Sequence, residues 1–348
     1  MKAVAVSDAF MVKAYYRKCF ASFPQYDLQV IPFGLPTRAE MRPVNHLIER
    51  GGPYAVEPPE ELCEALRDAD VLMVHMCPVP AKLLDAAPRL KAVLVNRGGM
   101  ENVDIPAATE RGIAVLNNPA HNANSVAELT IALMLSETRN LARTHRNLME
   151  GRWVENYRNA GHVFDLRGRT VGLLGFIGPL VARKLQAFDC EIRVWDPFIS
   201  PDKPELALYG CRLVDKETAL DSDIVSLHVR SDSQVLTRED IAKLKPGCYF
   251  INTARPHLID NQALYEALRD GRVMGAAFDV FMEEPISPDN PYLTLDNVTL
   301  SNHRGGVTEN CYSDSPAFLL GEMENYRAGR PVRFFVNERE LAAKRATN

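Results

Sequence analysis

The chain has 348 residues, 46% of them hydrophobic and 24% charged, an ordinary globular composition with length enough for two domains. Its net charge of −5 argues against nucleic acid and anionic membrane as partners, since both need a basic surface. Its apolar runs are of strand length, short of the roughly 20 residues that a bilayer span needs. The seven cysteines are scattered, odd in number and without a C-x-x-C, which reads as a reduced, cytoplasmic chain. The opening MKAVAVSDAF reads as a β-strand and lacks a signal peptide's apolar core and cleavage site.

Short apolar runs alternate with helical patterns along the chain. Ala3–Val6, Leu28–Ile31, Val71–His75, Ala92–Val95 and Ile113–Leu116 predict five strands. Helical segments at Pro59–Arg67, Ala81–Ala86 and Ile105–Arg111 lie among them. A long helix is expected over Asn124–Glu150, with Ser125 as N-cap, Glu128 completing a capping box and Gly151 ending it. Its start, AELTIALMLS, is apolar nearly all round, so burial against another domain or a second subunit is expected.

The stretch Thr170–Phe198 then reads strand, glycine turn, helix, strand, acid. Val171–Leu174 is the first strand, Pro179–Phe188 the helix, Glu191–Trp195 the second strand, and Asp196-Pro197 ends it. This is the layout of a dinucleotide site: glycines admit a pyrophosphate and the acid takes ribose hydroxyls. The turn holds Gly175, Phe176, Ile177 and Gly178, a G-x-x-G spacing in place of G-x-G-x-x-G. Further strands are expected at Ile224–Val229, Tyr249–Asn252, Gly275–Val280 and Val298–Leu300, with helices at Arg238–Leu244, Asn261–Arg269 and Glu309–Arg327. The alternation implies an α/β fold of two parallel-sheet domains, Rossmann-like and flavodoxin-like, with a cleft between them. The expected division is 1–116 plus 305–348 for a substrate-binding domain and 117–304 for a dinucleotide-binding one. Phe318, Leu319 and Met323 of the last helix are expected to pack back on the first domain.

In open parallel sheets, ligands bind beyond the carboxyl ends of the strands. The polar residues there are Arg97-Gly98-Gly99, Asp196, His228, Arg255, Asp279, the nearby Glu284, and His303. A guanidinium at Arg255 can hold a carboxylate bidentately. A histidine held by a carboxylate can donate a proton near neutral pH. Taken singly, Arg255 and Glu284 read first as solvated loop residues, and His303 as readily structural as catalytic; three such residues at strand ends of one sheet improve the odds of chemistry.

The motifs RGGMENVDIPAATERGIAVLNNP (97–119), SVAELTIALML (125–135), LRGRTVGLLGF (166–176), VWDPF (194–198), LKPGCYFINTAR (244–255), GAAFDVFMEEP (275–285) and NHRGG (302–306) together resemble the D-isomer-specific 2-hydroxyacid dehydrogenase family. The resemblance implies an NAD-dependent oxidoreductase that moves a hydride between nicotinamide and C2 of a small 2-hydroxy or 2-oxo acid. It implies that Arg255 binds the substrate carboxylate and carbonyl, that His303 is the acid and base, and that Glu284 orients His303 and favours its charged form. Gly98 and Gly99 would offer N–H groups to the carboxylate, and His75, Met76 and Cys77 would line the substrate pocket. Asp196 with Pro197 would hold the adenosine ribose, and His228 and Val229 the adenine. Thr253 and Ala254 would also line the cofactor, and Asp279 would contact the carboxamide. Asp196 and the absence of a cation in Pro197-Phe198-Ile199 favour NAD(H) over NADP(H). A homodimer through the 124–150 region is expected.

Several features depart from the family's pattern, among them Pro256-His257 after Arg255 and Arg230-Ser231-Asp232 after Val229. The turn at Gly175–Gly178 is two residues short, which leaves open either an altered sequence there or weakened dinucleotide binding. Asp189 stands where a glycine often ends the helix, and would be strained if positive φ is required. The loop His75-Met76-Cys77-Pro78 lacks groups suited to a phosphate, which points to a non-phosphorylated acid such as glyoxylate, hydroxypyruvate or a sugar-derived acid. The competing reading is a non-enzymatic, corepressor-like binding module, for which the set Arg255, Glu284 and His303 would be unnecessary.

Overall fold

A computed structural model describes residues 1–175 and 180–347. The turn residues Phe176, Ile177 and Gly178, and the expected helix start at Pro179, lie outside the described residues. The chain forms two compact units, Met1–Asn122 with Thr308–Asn348, and Ala123–Val307. These divisions fall later than the expected 116/117 and 304/305.

The first unit holds β1 (Lys2–Ser7), β2 (Asp27–Pro32), β3 (Val71–Val74), β4 (Ala92–Val95) and β5 (Ala114–Asn117). Their order is β2-β1-β3-β4-β5, all parallel, as in flavodoxin-like folds. Every residue of β3 and β4 is buried, which is why both read as unbroken apolar runs. Leu319 and Met323 complete this core and Phe318 packs against it, as expected of the last helix. That helix is divided at Asp314 into Glu309–Ser313 and Ser315–Arg327.

The second unit holds β6 (Thr170–Leu174), β7 (Glu191–Trp195), β8 (Cys211–Leu213), β9 (Ile224–Leu227), β10 (Cys248–Asn252), β11 (Val273–Phe278) and β12 (Val298–Leu300). The order β12-β11-β10-β9-β6-β7-β8 is parallel throughout and extends the Rossmann arrangement. It reverses between β6 and β9, the switch point where such sheets take ligands. Helix Lys216–Leu220 lies so close to β6 that a Cβ on Gly172 would stand 2.1 Å from the Ala219 carbonyl oxygen. Asp189 does adopt φ +54 at the turn before β7.

The expected single helix over 124–150 is two helices, Ala123–Thr138 and Leu141–Met149. Ser125 lies within the first turn, so the expected capping box does not form. Glu128 instead accepts from Asn124 Nδ2 at 3.0 Å and pairs with Lys184 at 3.1 Å. The break falls at Asn140, which takes φ +58. Its amide donates to Asn159 Oδ1 at 2.8 Å and its side-chain carbonyl oxygen accepts from Arg143. Arg143 in turn pairs with Glu137, which also accepts from Thr299 Oγ1 at 2.6 Å. Glu137 is fully buried and Arg143 nearly so. Burial pushes the Glu137 carboxyl up to about 7, against the pull of Arg143 and Thr299.

Removing one member of a buried pair strands the other without a partner. Glu137→Ala is therefore expected to cost about 3–5 kcal/mol in urea unfolding. Replacing Glu137 and Arg143 together by methionine should cost less than Glu137→Ala alone; an equal or greater loss would contradict this account.

Candidate active site

All seven strands of the second sheet run the same way, so their carboxyl ends share one edge. Gly175 follows β6, Asp196 β7, His228 β9, Arg255 β10, Asp279 β11 and His303 β12. The sequence motifs become a spatial set through this register alone.

His303 and Glu284 are in direct contact. The ring Nδ1 lies 2.7 Å from Glu284 Oε2. An ionised carboxylate only accepts, so Nδ1 carries the proton and Nε2 is left for other chemistry. The second oxygen of Glu284 accepts from the Phe281 N–H at 3.0 Å, which fixes the carboxylate. His303 has φ +54 and a side chain 53% exposed.

Asp279 holds the loop that carries His303. Its carboxylate accepts from Ser301 Oγ (2.5 Å), Arg304 N (2.7 Å) and Gly305 N (2.7 Å), on both sides of the histidine. Gly305 must be glycine for this approach, since a Cβ would stand 2.9 Å from Asp279 Oδ2. Asp279 is 1% exposed. Its nearly filled acceptor sites are thus turned onto the loop, whereas the resemblance implies a contact with the nicotinamide carboxamide.

The Arg255 loop is held similarly. Asn252, the last residue of β10, accepts from the Ala254 N–H at 3.0 Å and donates to the Arg255 carbonyl at 3.1 Å. The exposed Arg255 guanidinium donates through Nη1 to its neighbour's carbonyl at 2.8 Å, and Nε and Nη2 have no partner among the described residues. No hydrogen bond joins it to Glu284 or His303 among those residues. Thr253 is buried, with its hydroxyl 2.9 Å from that of Thr130.

Gly175 takes φ +93, and a Cβ there would stand 2.8 Å from the His228–Val229 peptide. Its N–H donates to the Trp195 carbonyl at 2.7 Å, tying the end of β6 to the end of β7. There Asp196 accepts from Phe198 N at 2.9 Å. His228 contacts Ser226 Oγ at 2.9 Å, and burial pushes its imidazole down to about 4. A carboxylate thus stands at the end of β7 and an imidazole at the end of β9, on either side of the switch point.

In the first unit, the N–H groups of Gly98 and Gly99 have no partner among the described residues. Met76 and Cys77 are buried in the core. Met76 sulfur accepts from Arg97 Nη1 at 2.8 Å, and burial pushes the Cys77 thiol far up. His75 is bound through Nδ1 to Asp8 at 2.9 Å. Asp8 directly follows β1, so the strand-end rule could have singled it out. Among the described residues, no cluster of three or more His, Cys, Asp or Glu could hold a metal ion, and no helix is long and apolar enough to cross a membrane.

Residues 131–305 match the family model for the NAD binding domain of D-isomer specific 2-hydroxyacid dehydrogenases. The chain belongs to that family. It is 36% identical over 285 residues to a D-3-phosphoglycerate dehydrogenase of Archaeoglobus fulgidus, covering 80% of this chain and 53% of that one. It is 39% identical over 258 residues to a hydroxypyruvate reductase of Thermotoga maritima, covering 72% and 82%. The crystal structure of the TT0316 protein of Thermus thermophilus superposes with a TM-score of 0.67 at 27% identity, over 96% of this chain and 99% of that one. The chain spans about half the length of the phosphoglycerate dehydrogenases that it matches. Family and fold agree with the expectation from sequence, and NAD is the cofactor that this domain family takes.

The depressed His228 gives a pH signature. The unfolded histidine titrates near 6.5 and the folded one near 4. Between these values the unfolded state binds more protons, so stability falls as pH drops from 6.5 toward 4. Wild type should lose stability relative to His228→Asn across that window, by up to about 1.4 kcal/mol per pH unit in urea midpoints. Parallel curves would show that His228 is not kept neutral.

Proposed function

We propose that this protein is an NAD-dependent dehydrogenase of small 2-hydroxy and 2-oxo acids. The observation that carries the proposal is the His303–Glu284 pair at the carboxyl edge of a dinucleotide-binding sheet. Bound NADH supplies the hydride for C2. Asp196 would hold the adenosine ribose, with Pro197, His228, Val229, Thr253 and Ala254 lining the cofactor. The free edge of Arg255 would take the substrate carboxylate and polarise the adjoining carbonyl. Nε2 of protonated His303 would deliver a proton to the carbonyl oxygen in reduction and remove it in oxidation. Glu284, in contact with Nδ1, would hold the ring in the orientation this requires.

Glyoxylate, hydroxypyruvate and sugar-derived acids are the proposed substrates, and the test is loss of NADH absorbance across a panel of 2-oxo acids. His303→Ala should lower kcat by about 10²–10⁴-fold with little change in NADH affinity by fluorescence titration. Arg255→Ala should chiefly raise KM for the acid. Full activity in His303→Ala would remove the assigned acid and base. Complete inactivity of wild type on every acid would favour a binding role for the protein.

The proposed assembly is a homodimer formed through helices Ala123–Thr138 and Leu141–Met149 and the chain beyond. Leu141, Leu148, Met149 and Trp153 are exposed there, Met149 to 74% and Trp153 to 80%. Such clustered apolar surface marks an interaction site. Light scattering should give a dimer that Met149→Asp with Trp153→Asp converts to a monomer; a monomeric wild type would overturn this assembly.

A further inference from the structure

We propose that Arg230, in the loop after β9, binds the pyrophosphate of NAD and makes up for the short glycine turn after β6. A dinucleotide's pyrophosphate lies where the first strand of such a sheet gives way to its helix, and it needs donors there. The chain has Gly175-x-x-Gly178 in place of G-x-G-x-x-G, so the glycine at which the backbone approaches the pyrophosphate is missing. Pro179 has no N–H to offer. The Gly175 N–H is donated to the Trp195 carbonyl and the His228 N–H to the Leu174 carbonyl, both at 2.7 Å.

The residues at the switch point leave one source of positive charge. Of the described residues directly after β6 and β7, namely Gly175 and Asp196, Pro197, Phe198 and Ile199, none is cationic, and Asp196 is an acid. After β9, burial keeps His228 neutral, its imidazole pushed down to about 4. Arg230 follows two residues later. A Cβ on Gly175 would stand 2.8 Å from the Val229 nitrogen, so the loop after β9 lies directly against the start of the turn. Consecutive Cα atoms are about 3.8 Å apart, so Arg230 begins within about 8 Å of that point, at the reach of its own side chain.

The guanidinium is free and the backbone beneath it is held. Arg230 is exposed, and no hydrogen bond or ion pair joins its side chain to a described residue, Asp232 included. By contrast, Arg193 of β7 pairs with Glu191 at 3.0 Å and donates to the Asp221 carbonyl at 2.8 Å. The Ser231 carbonyl accepts from His257 Nε2 at 2.9 Å, and Val235 N and Leu236 N donate to the Leu258 carbonyl at 2.8 and 2.9 Å. Two departures from the family's pattern, Arg230-Ser231-Asp232 and Pro256-His257, thus form one feature: the second anchors the loop that carries the first. A planar guanidinium can donate two parallel hydrogen bonds to phosphate oxygens, supplying charge and donors together. The site requires NAD as its ligand, which this domain family takes, and makes no demand on hydride transfer, so binding alone tests it.

The full chain is titrated by calorimetry with ADP-ribose, which carries the pyrophosphate without the nicotinamide, and with adenosine, which carries no phosphate. Arg230→Gln should weaken ADP-ribose binding by about 10- to 100-fold and leave adenosine within about twofold. Arg230→Lys should recover only part of the loss, because it keeps the charge without the two-pronged edge. Added salt should weaken ADP-ribose binding more steeply in wild type than in Arg230→Gln, since the screened charge is then absent. Unchanged ADP-ribose affinity in Arg230→Gln would overturn the assignment. An equal loss for adenosine would also overturn it, placing the guanidinium against the base instead. So would a wild type that binds no ADP-ribose. A wild type that binds ADP-ribose through Arg230 yet reduces no 2-oxo acid would sink the dehydrogenase reading and leave the pyrophosphate site standing.

Discussion

The carboxylate of Asp279 is almost wholly withdrawn from water and accepts from Ser301, Arg304 and Gly305. Burying a charge costs several kcal/mol unless hydrogen bonds replace its hydration. Three charge-assisted bonds, each worth about 1.5–3 kcal/mol, provide that replacement. They also bind the loop on both sides of His303. A histidine at φ +54 is held against a cost of about 1–3 kcal/mol, and the Asp279 bonds offset it. The imidazole can then meet Glu284 at 2.7 Å although its own side chain is half in solvent.

The same device recurs at other strand ends. Asp8 after β1 gathers the N–H groups of Phe10 and Met11 while holding His75. Asn252 at the end of β10 accepts from Ala254 and donates to the Arg255 carbonyl. A strand that stops leaves its following amides without sheet partners. A short polar side chain at the stop satisfies them and fixes the loop at once. The reactive side chains then project from backbone that is already committed.

This division explains what was legible from the residues. The strands buried on both faces announced themselves as apolar runs, because burial on two faces removes the polar alternation. Strand β8 did not: it has three residues, Cys-Arg-Leu, and pairs only with β7 at the sheet edge. Helix Arg38–Gly51 was hidden by Pro43 in its interior, while its start is fixed by the reciprocal bonds of Thr37 and Glu40. The break at Asn140 depends on Glu137, Arg143, Asn159 and Thr299, whose meeting no local window contains. Arg255, Glu284 and His303 were legible because each follows a strand of one parallel sheet and sits in a recognisable motif. Asp8 carries no motif, and only the packing of the first unit joins it to His75.

Charge is distributed in the same spirit. The chain has a net charge of −5, yet guanidinium groups at the functional edges are of two kinds. Arg97 is spent on Glu49 and Glu101, whereas Arg230 and Arg255 keep nitrogens without a partner among the described residues. A uniformly negative surface would repel an organic acid, and a uniformly positive one would hold any anion. Neutralising one cation while exposing another would confine the attraction to chosen points. For the dehydrogenase proposed above, selectivity for an acid would then lie less in how many arginines line an edge than in which of them the fold has left without a carboxylate of its own.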